Sequence, residues 1–207
     1  MFPPPVPSRR ELPAKVVLAT GNAGKQRELA ALLAPLGMQV ILQTTLGISS
    51  ADETGDTFEA NALLKARHAA RQARLPALAD DSGLEVDALG GRPGVWSARY
   101  AGVDATDAAN NAKLLAELSG VPADRRTARY RCVIAFVRDA DDPQPLVARG
   151  AWEGRIGESP QGTGGFGYDP LFWPQDASMT AAQMEPAAKN AVSHRGLALA
   201  ELLRKLA

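Results

Sequence analysis

The order strand, helix, strand over residues 16–42 is the feature that most limits what this chain can fold into. Residues 16–19 form a short apolar run that begins with two β-branched valines, which predicts a buried strand. A turn cluster follows at 20–24, and residues 25–34 then carry leucines at helical spacing. Residues 38–42 are typical of a second strand. Because a helix joins the two strands, they are predicted to pair in parallel within an α/β fold.

The rest of the chain continues the alternation of strands and helices. The clearest helix is predicted between the candidate N-cap Thr57 and Pro76, where Phe58 and four alanines mark an apolar stripe. Further elements are predicted as strands at 77–79, 84–89, 127–138 and 146–156, the last two antiparallel, and as helices at 104–118, 180–184 and 193–206. This order predicts an α/β fold with a long central mixed β-sheet flanked by helices.

Composition narrows the class of protein. The chain has 207 residues, 45% of them hydrophobic, which is enough for a single domain at 15–207 behind a Pro-rich flexible tail at 1–14. Basic and acidic residues each number 23, so no basic excess points to nucleic acid. No apolar run reaches the roughly 18 residues of a membrane span, and the N-terminus lacks the apolar core of a secretion signal. A cytoplasmic protein without membrane or nucleic-acid partners is therefore expected.

Four glycines crowd into residues 162–167, directly before Tyr168, Asp169 and a proline. Because glycine costs backbone entropy on folding, such density indicates a backbone that approaches a ligand closely, with N–H groups free for an anion. Phe166 and Tyr168 can face a flat ring, so a phosphate together with a ring indicates a nucleotide. The stretch is not a dinucleotide-binding fingerprint, because no helix follows it. The alternative is a flexible hairpin connection.

A candidate phosphate site lies at 20–25, where a turn leads from the first strand into the first helix. A helix N-terminus presents free N–H groups and positive potential, and Lys25 adds a formal charge there. The stretch is not a P-loop, because the glycine spacing differs and Gln26 follows the lysine. An ordinary turn with a surface lysine is the alternative.

Two acidic stretches are candidates for metal binding and for proton transfer. Asp80 and Asp81 are predicted at the end of a strand, where their side chains point to opposite sides, so one of them is expected to face a site. A second carboxylate, from Asp52 or Glu53, would complete an oxygen site for a hard cation such as Mg²⁺. The alternatives are a capped turn and a solvated acidic loop.

A cationic cluster near the C-terminus is a further candidate. Ser193 is the candidate N-cap of the last helix, and His194 and Arg195 then lie at its N-terminal end, where cations are unfavourable. A bound anion would relieve that unfavourable interaction and would place a ligand beside both side chains. The alternative is a solvated charged turn.

Taken together and in order, these stretches resemble one family. The resemblance rests on Thr-Gly-Asn-Ala-Gly-Lys from Thr20, on Asn61 with Lys65, on Ala-Asp-Asp-Ser-Gly-Leu-Glu-Val-Asp-Ala-Leu-Gly-Gly-Arg-Pro-Gly from Ala79, on Ser-Ala-Arg-Tyr from Ser97, on Gly-Thr-Gly-Gly-Phe-Gly-Tyr-Asp-Pro from Gly162 and on Ser-His-Arg-Gly from Ser193. The chain resembles the Ham1/inosine triphosphate pyrophosphatase family in its bacterial form, from residue 15 to the C-terminus.

The resemblance implies a homodimeric, Mg²⁺-dependent enzyme with two lobes and a nucleotide cleft between them. Enzymes of this family hydrolyse non-standard purine nucleoside triphosphates, namely inosine triphosphate (ITP), dITP and xanthosine triphosphate (XTP), to the monophosphate and pyrophosphate. They thereby remove these nucleotides from the pool before they are incorporated.

The same resemblance implies a role for each matching residue. Asp81 is implied as the proton acceptor and a metal ligand, and Lys65 supplies positive charge for the leaving phosphates. The second metal ligand is implied at Asp52, or at the neighbouring Glu53, since relatives often carry glutamate at the first of these positions. Substrate-binding residues are implied at Thr20, Gly21, Asn22, Ala23, Gly24, Lys25, Ser82, Phe166, Gly167, Tyr168, Asp169, Lys189, His194 and Arg195.

Two other functions stay open from the residues alone. A phosphatase with Asp81 as nucleophile would release orthophosphate rather than pyrophosphate. A nucleotide-binding regulatory module would bind triphosphate without Mg²⁺ and leave it intact. For the family reaction, the base is selected at C6, because inosine and xanthosine carry an oxygen there and adenosine carries an amino group. Hydrogen-bond donors at C6, with Arg195 as a candidate, would reject adenine, whereas guanine must be rejected around C2.

Overall fold

A mixed sheet of six strands runs through the part of the chain that this computed structural model describes, residues 13–34 and 37–206. The strands are β1 (Lys15–Leu18), β2 (Gln39–Leu42), β3 (Ala77–Val86), β4 (Thr127–Val137), β5 (Leu146–Ile156) and β6 (Phe172–Pro174), in the order β2-β1-β3-β4-β5-β6. β1 pairs in parallel with β2 and β3, and the remaining neighbours pair antiparallel. The predicted α/β fold with a mixed sheet is therefore confirmed. The predicted tail lies, up to residue 12, outside the described residues.

Helices cover both faces of this sheet. They are α1 (Ala23–Leu33), α2 (Phe58–Ala73), α3 (Asp107–Glu117), α4 (Pro186–Val192) and α5 (His194–Leu206). Short 3₁₀ helices lie at Gln43–Leu46, Asp87–Leu89, Gly94–Arg99, Ala123–Arg125 and Ala181–Gln183. α2 packs on one face, against β1, β3 and β4, whereas α1 and α5 pack on the other. Within the described ranges, no helix is both long enough and apolar enough to cross a bilayer.

Among the residues that the structure describes, three hydrophobic clusters hold these layers together in two lobes. The first packs α1 and α5, including Leu199, against one face of the sheet. The second packs the alanine stripe of α2, including Ala66, against the other face, and these small side chains let the helix lie close to the strands. The third lies at the far end of the long strands, where Tyr130, Trp152 and Phe172 pack together. Because β3, β4 and β5 run through both ends, they connect the two lobes.

The largest difference from the predicted elements is in β3. The sequence predicts two strands, at 77–79 and 84–89, with an acidic turn between them. The structure has one uninterrupted strand that pairs with β4 along its whole length. Backbone pairing with β4 therefore outweighs the turn preference of aspartate, serine and glycine at 80–83. The acidic residues consequently lie in the middle of a rigid strand rather than on a loop.

Side-chain caps explain where two of the helices begin. The hydroxyl of Thr57 accepts a hydrogen bond from the N–H of Ala60 at 3.1 Å, which confirms the predicted cap of α2. Thr106 caps α3 in the same way, so this helix begins at Asp107 rather than at residue 104. β6 and α4 are not predicted from the sequence, because elements of 3 and 7 residues are too short to show a periodic pattern.

Candidate active site

Two neighbouring carboxylates of β3 lie where β1 ends and β3 continues into the second lobe. β1 pairs with β3 only as far as Leu18 opposite Leu78, just before Asp80. The side chain of Asp81 points toward α2, whereas that of Asp80 points toward α1 and α5. The prediction that adjacent carboxylates face opposite sides is confirmed. β3 thus divides the site into an α2 side, around Asp81, and an α5 side, around Asp80.

On the α2 side, Asp81 is held by two residues of one helix. Lys65 Nζ donates to Asp81 Oδ1 and to Glu53 Oε1, at 2.8 Å in each case. One helical turn earlier, Asn61 donates to Asp81 Oδ2 at 3.3 Å and accepts a hydrogen bond from the N–H of Gly55 at 2.8 Å. Lys65, Glu53 and Asp81 line a cavity of about 450 Å³. The loop that contains Glu53 and Gly55 and the carboxylate of Asp81 are therefore both held by α2.

Burial and charge shift the pKa values on this side in different directions. Burial raises the pKa of Asp81, and the ammonium of Lys65 opposes this rise without cancelling it. Burial also acts to raise the pKa of Glu53, but Lys65, foremost among several cations, lowers it overall. Burial alone would lower the pKa of Lys65, yet the carboxylates around it, led by Asp81, raise it. The pKa of Asp81 is thus shifted toward proton uptake and that of Glu53 away from it, and a raised pKa suits a proton acceptor.

The carboxylate that faces Asp81 across the cavity belongs to Glu53. The neighbouring Asp52 is exposed and does not line the cavity. Among the described residues, no cluster of three or more histidine, cysteine, aspartate or glutamate side chains is placed to hold a metal ion. Mg²⁺ commonly uses only one or two protein carboxylates and completes its shell with water and substrate phosphates. Two carboxylates that already surround one cation, the ammonium of Lys65, fit such an ion.

The turn between β1 and α1 borders both sides of the site. Asn22 is the N-cap of α1, and its Oδ1 accepts a hydrogen bond from the N–H of Lys25 at 3.0 Å. The hydroxyl of Thr20 accepts one from the N–H of Asn22 at 3.2 Å. The Lys25 side chain reaches over β3, with its Nζ 3.1 Å from Asp80 Oδ2. The predicted phosphate site is therefore a capped helix start with a lysine above the sheet.

The α5 side is a network of cations held by acids. Arg195 is only 1% exposed and donates to Asp80 Oδ2 through Nε at 3.4 Å and Nη2 at 3.3 Å. Nη2 also donates to Ser82 Oγ at 3.0 Å, and Nη1 donates to Glu28 of α1. Lys189 of α4 pairs with the same Glu28 at 2.9 Å. The carboxylates of the protein itself therefore offset the unfavourable position of Arg195 at the start of α5, where a bound anion was expected to do so.

The glycine loop is fixed by the aspartate at its end. The carboxylate of Asp169 accepts hydrogen bonds from the N–H of Phe166 at 2.9 Å, from the hydroxyl of Tyr130 at 3.2 Å and from Lys189. Gly165 has a φ of +72°, and a Cβ at this position would overlap the Asp169 carboxylate. The ring of Phe166 lies 5.2 Å from the Lys189 ammonium, within cation–π range. Glycine is thus required here by both conformation and space.

His194 is buried beneath this network. It is 4% exposed and stacks on Tyr130, with ring centroids 4.6 Å apart and planes inclined by 10°. Its Nδ1 has no hydrogen-bond partner among the described residues. Burial holds the pKa of His194 well below its usual range, and the charges of Arg195 and Lys189 act in the same direction. The ring is therefore neutral, with one N–H donor and one acceptor nitrogen, and His194 lines the cavity on the α5 side.

Stability should consequently fall in mild acid, because unfolded His194 takes up a proton that the folded protein excludes. The pKa is lowered on folding, so the loss begins as pH falls through about 6.5 and reaches about 1.4 kcal/mol per pH unit below it. Urea unfolding at pH 7.5 and 5.5 measures the slope. His194→Phe, which keeps a ring against Tyr130, should flatten it, while His68→Gln should retain it. An unchanged slope in His194→Phe would remove His194 as the cause.

Two adjoining cavities bring most of the predicted site residues together. The second cavity, of about 260 Å³, lies on the α5 side and shares Asn22, Lys25, Ser82 and Ala98 with the first. Three predicted residues line neither cavity: Asp52, Ala23 and Gly24, the last of which lies beneath the ring of Phe166. The predicted residues that line one cavity or both are Thr20, Gly21, Asn22, Lys25, Lys65, Asp81, Ser82, Phe166, Gly167, Tyr168, Asp169, Lys189, His194 and Arg195.

Several contacts of the site are not predicted from the sequence. Glu28 lies three residues after Lys25 on α1, so helical spacing alone places the two on one face. Two residues of α3 hold the glycine loop: Asp107 accepts from the N–H of Gly167 at 2.7 Å, and Asn111 donates to its carbonyl at 2.9 Å. No sequence signal connects α3 with a loop 56 residues later. Only the fold brings them together.

Comparison with known proteins gives a consistent result. Residues 16–205 match the model of the Ham1 family. A dITP/XTP pyrophosphatase of Shigella flexneri is 59% identical over 192 residues, which cover 93% of this chain and 98% of that protein. A protein of the same name from Escherichia coli (strain K12) is 57% identical with the same coverage, 93% and 98%. The structure of a HAM1 protein from Coxiella burnetii matches with a TM-score of 0.85 at 48% identity, covering 93% of this chain and 98% of that one.

Proposed function

This chain belongs to the Ham1 family, and on that basis we propose that it hydrolyses the non-standard purine nucleoside triphosphates ITP, dITP and XTP to the monophosphate and pyrophosphate. One observation carries the proposal. The cavity that contains Asp81 adjoins the cavity that contains Phe166 and His194, with Lys25 and Ser82 common to both. A triphosphate can therefore extend from one into the other, with its α–β bridge near Asp81 and its base near Phe166.

On the α2 side, Asp81 accepts a proton from the attacking water, since its pKa is raised and its orientation is fixed by Lys65 and Asn61. The ammonium groups of Lys65 and Lys25 stabilise the negative charge that develops on the departing pyrophosphate. Asp81 and Glu53 are the residues that we propose to hold Mg²⁺. When bound, this ion neutralises phosphate charge and makes a bound water more acidic. Water attacks directly in this scheme, without a covalent intermediate.

On the α5 side, the ring of Phe166 offers a stacking surface for the purine. Four of the five N–H groups of Arg195 already point to Asp80, Ser82 and Glu28, which leaves one N–H at Nη1. This N–H and the ring N–H of His194, a residue that lines the same cavity, are candidate polar groups for the base. As donors they suit the C6 oxygen of inosine and xanthosine, and the amino group of adenine would leave them unpaired.

The direct test is product identification. The purified protein is incubated with ITP, XTP, ATP and GTP, with and without Mg²⁺, and the products are separated by ion-exchange chromatography. We expect monophosphate and pyrophosphate from ITP and XTP, only with Mg²⁺. Orthophosphate would instead indicate a phosphatase with Asp81 as nucleophile, and intact substrates throughout would indicate a nucleotide-binding regulatory module.

Glu53→Gln should raise the Mg²⁺ concentration for half-maximal ITP hydrolysis by roughly tenfold or more, because a charged oxygen ligand is lost. The matched control is Asp52→Asn, one residue away and exposed, which should change this concentration by less than about twofold. Titration of Mg²⁺ at saturating ITP measures both variants. A larger effect at Asp52 than at Glu53 would return the second metal ligand to Asp52.

We also propose that the protein works as a homodimer in the cytoplasm, as the family resemblance implies. Size-exclusion chromatography with light scattering should give about twice the chain mass of 21.8 kDa. A mass that stays at one chain across protein concentrations would contradict the dimer.

A further inference from the structure

We propose that Asp80 is a positioning residue that couples recognition of the base to binding of the triphosphate. The inference rests on the proposed function, because it takes Lys25 as a phosphate ligand and Arg195 as a base ligand. Asp80 is 0% exposed and lines neither cavity of the site. It therefore acts only through the side chains that it holds.

A single oxygen atom of Asp80 contacts three side chains. Oδ2 lies 3.1 Å from Lys25 Nζ and 3.3 Å from Arg195 Nη2, and it accepts a hydrogen bond from the hydroxyl of Ser82 at 3.1 Å. Lys25 comes from the first turn of α1, Ser82 from β3 and Arg195 from the first turn of α5. One buried carboxylate thus joins the phosphate end of the site to the base end.

The other oxygen of Asp80 shows how the pairing between Arg195 and this carboxylate can change. Oδ1 is buried and has no hydrogen-bond partner in the described part of the chain. Nε and Nη2 of Arg195 both point to Oδ2, although a guanidinium and a carboxylate favour two parallel bonds to two oxygens. Lys25 lies on the same Oδ2 and shares its charge. Without Lys25, the guanidinium would pivot onto the free Oδ1 and pair with both oxygens.

Such a pivot changes base recognition from the phosphate end. The N–H of Arg195 that remains for the base turns away with the guanidinium, so an oxygen at C6 loses its advantage over an amino group. Lys65 provides the contrast, because it pairs with Asp81 and Glu53 on the opposite face of β3. Loss of Lys65 should slow hydrolysis without altering the choice of base.

The test compares Lys25→Met with Lys65→Met, with the ratio of kcat/KM for ITP over ATP as the readout. We expect the ratio to fall about tenfold in Lys25→Met, and to stay within about twofold in Lys65→Met while both rates fall. An equal loss for ITP and ATP in Lys25→Met would overturn the proposal. Dissociation constants for both nucleotides, measured by calorimetry in EDTA, give the same ratio without turnover.

Asp80→Asn tests the carboxylate itself, with Asp142→Asn as the matched control. Asp142 is also a buried, ion-paired aspartate, but it pairs with Arg138 in the turn after β4. Asp80→Asn should lower the ITP-to-ATP ratio and Asp142→Asn should keep it, whatever their stabilities. If Asp80→Asn does not fold, the ratio in Lys25→Met decides the question. If the wild-type protein neither hydrolyses ITP nor prefers it over ATP, the proposed function is contradicted as well. If the wild type prefers ITP but Lys25→Met leaves the ITP-to-ATP ratio unchanged, only this inference is contradicted.

Discussion

Asp81→Asn is expected to reduce kcat for ITP hydrolysis by about a thousandfold or more while the protein stays folded and still binds ITP. Asparagine has the same shape but cannot take a proton from water, and it offers a metal ion no charge. Its carbonyl can keep the hydrogen bond from Lys65 that is 2.8 Å long in the wild type. One acceptor is lost beside Asn61, so a small decrease in stability should accompany the loss of turnover.

The control for this variant is Asp87→Asn. Asp87 follows the same strand, but its side chain is 44% exposed and pairs with Arg129 outside both cavities. Steady-state rates and calorimetric ITP binding should match the wild type in this control. Near-normal turnover in Asp81→Asn would exclude Asp81 as the proton acceptor. Acid quenching with γ-³²P-labelled and α-³²P-labelled ITP should leave the wild-type protein unlabelled, and labelled protein would instead support a covalent nucleophile.

Gly150→Ala should lower the free energy of unfolding by about 3 kcal/mol and weaken substrate binding at the same time. A Cβ at this position of β5 would overlap the carbonyl oxygen of His194 and lie 2.6 Å from the backbone nitrogen of Ala198. Both atoms belong to the backbone of α5, so no side-chain rotation can make room. The helix must move away from the sheet, and its first turn carries His194 and Arg195.

Urea unfolding and the KM for ITP measure the two effects of Gly150→Ala. The matched control is Ala151→Ser, which adds one heavy atom to the next residue of β5 on the opposite face of the sheet. It should change the unfolding free energy by less than about 1 kcal/mol and leave KM unchanged. A Gly150→Ala protein with wild-type stability would show that α5 is not packed on β5 as closely as described.

Much of this fold is predicted from the sequence because the elements concerned depend on interactions between residues that are close together in the chain. The alternation of β1, α1 and β2 follows from apolar periodicity, and the start of α2 follows from a hydroxyl cap at Thr57. The opposite orientation of Asp80 and Asp81 follows from strand geometry alone. The family resemblance implied the site residues, and the structure places most of them along two adjoining cavities.

Other features depend on contacts that no local signal reports. The continuity of β3 through its acidic residues depends on pairing with β4, whose partners lie about fifty residues later in the chain. Whether Asp52 or Glu53 faces Asp81 across the cavity depends on the path of their loop, which Asn61 of α2 fixes through a hydrogen bond from Gly55. The ion pairs of Glu28 with Lys189 and Arg195 join residues more than 160 positions apart. Tertiary packing, rather than propensity, determines each of these.

The alternation of side chains along β3 also has a practical meaning for protein engineering. In the proposed mechanism, Asp81 serves hydrolysis from one face of the strand, while Asp80 and Ser82 support recognition of the base from the other. A mutant library confined to the residues of α4 and α5 near the base would explore new nucleotide preferences while leaving the hydrolytic groups of α2 intact. Directed evolution of an enzyme that hydrolyses another damaged nucleotide could therefore select first for nucleotide preference and afterwards for the rate of hydrolysis.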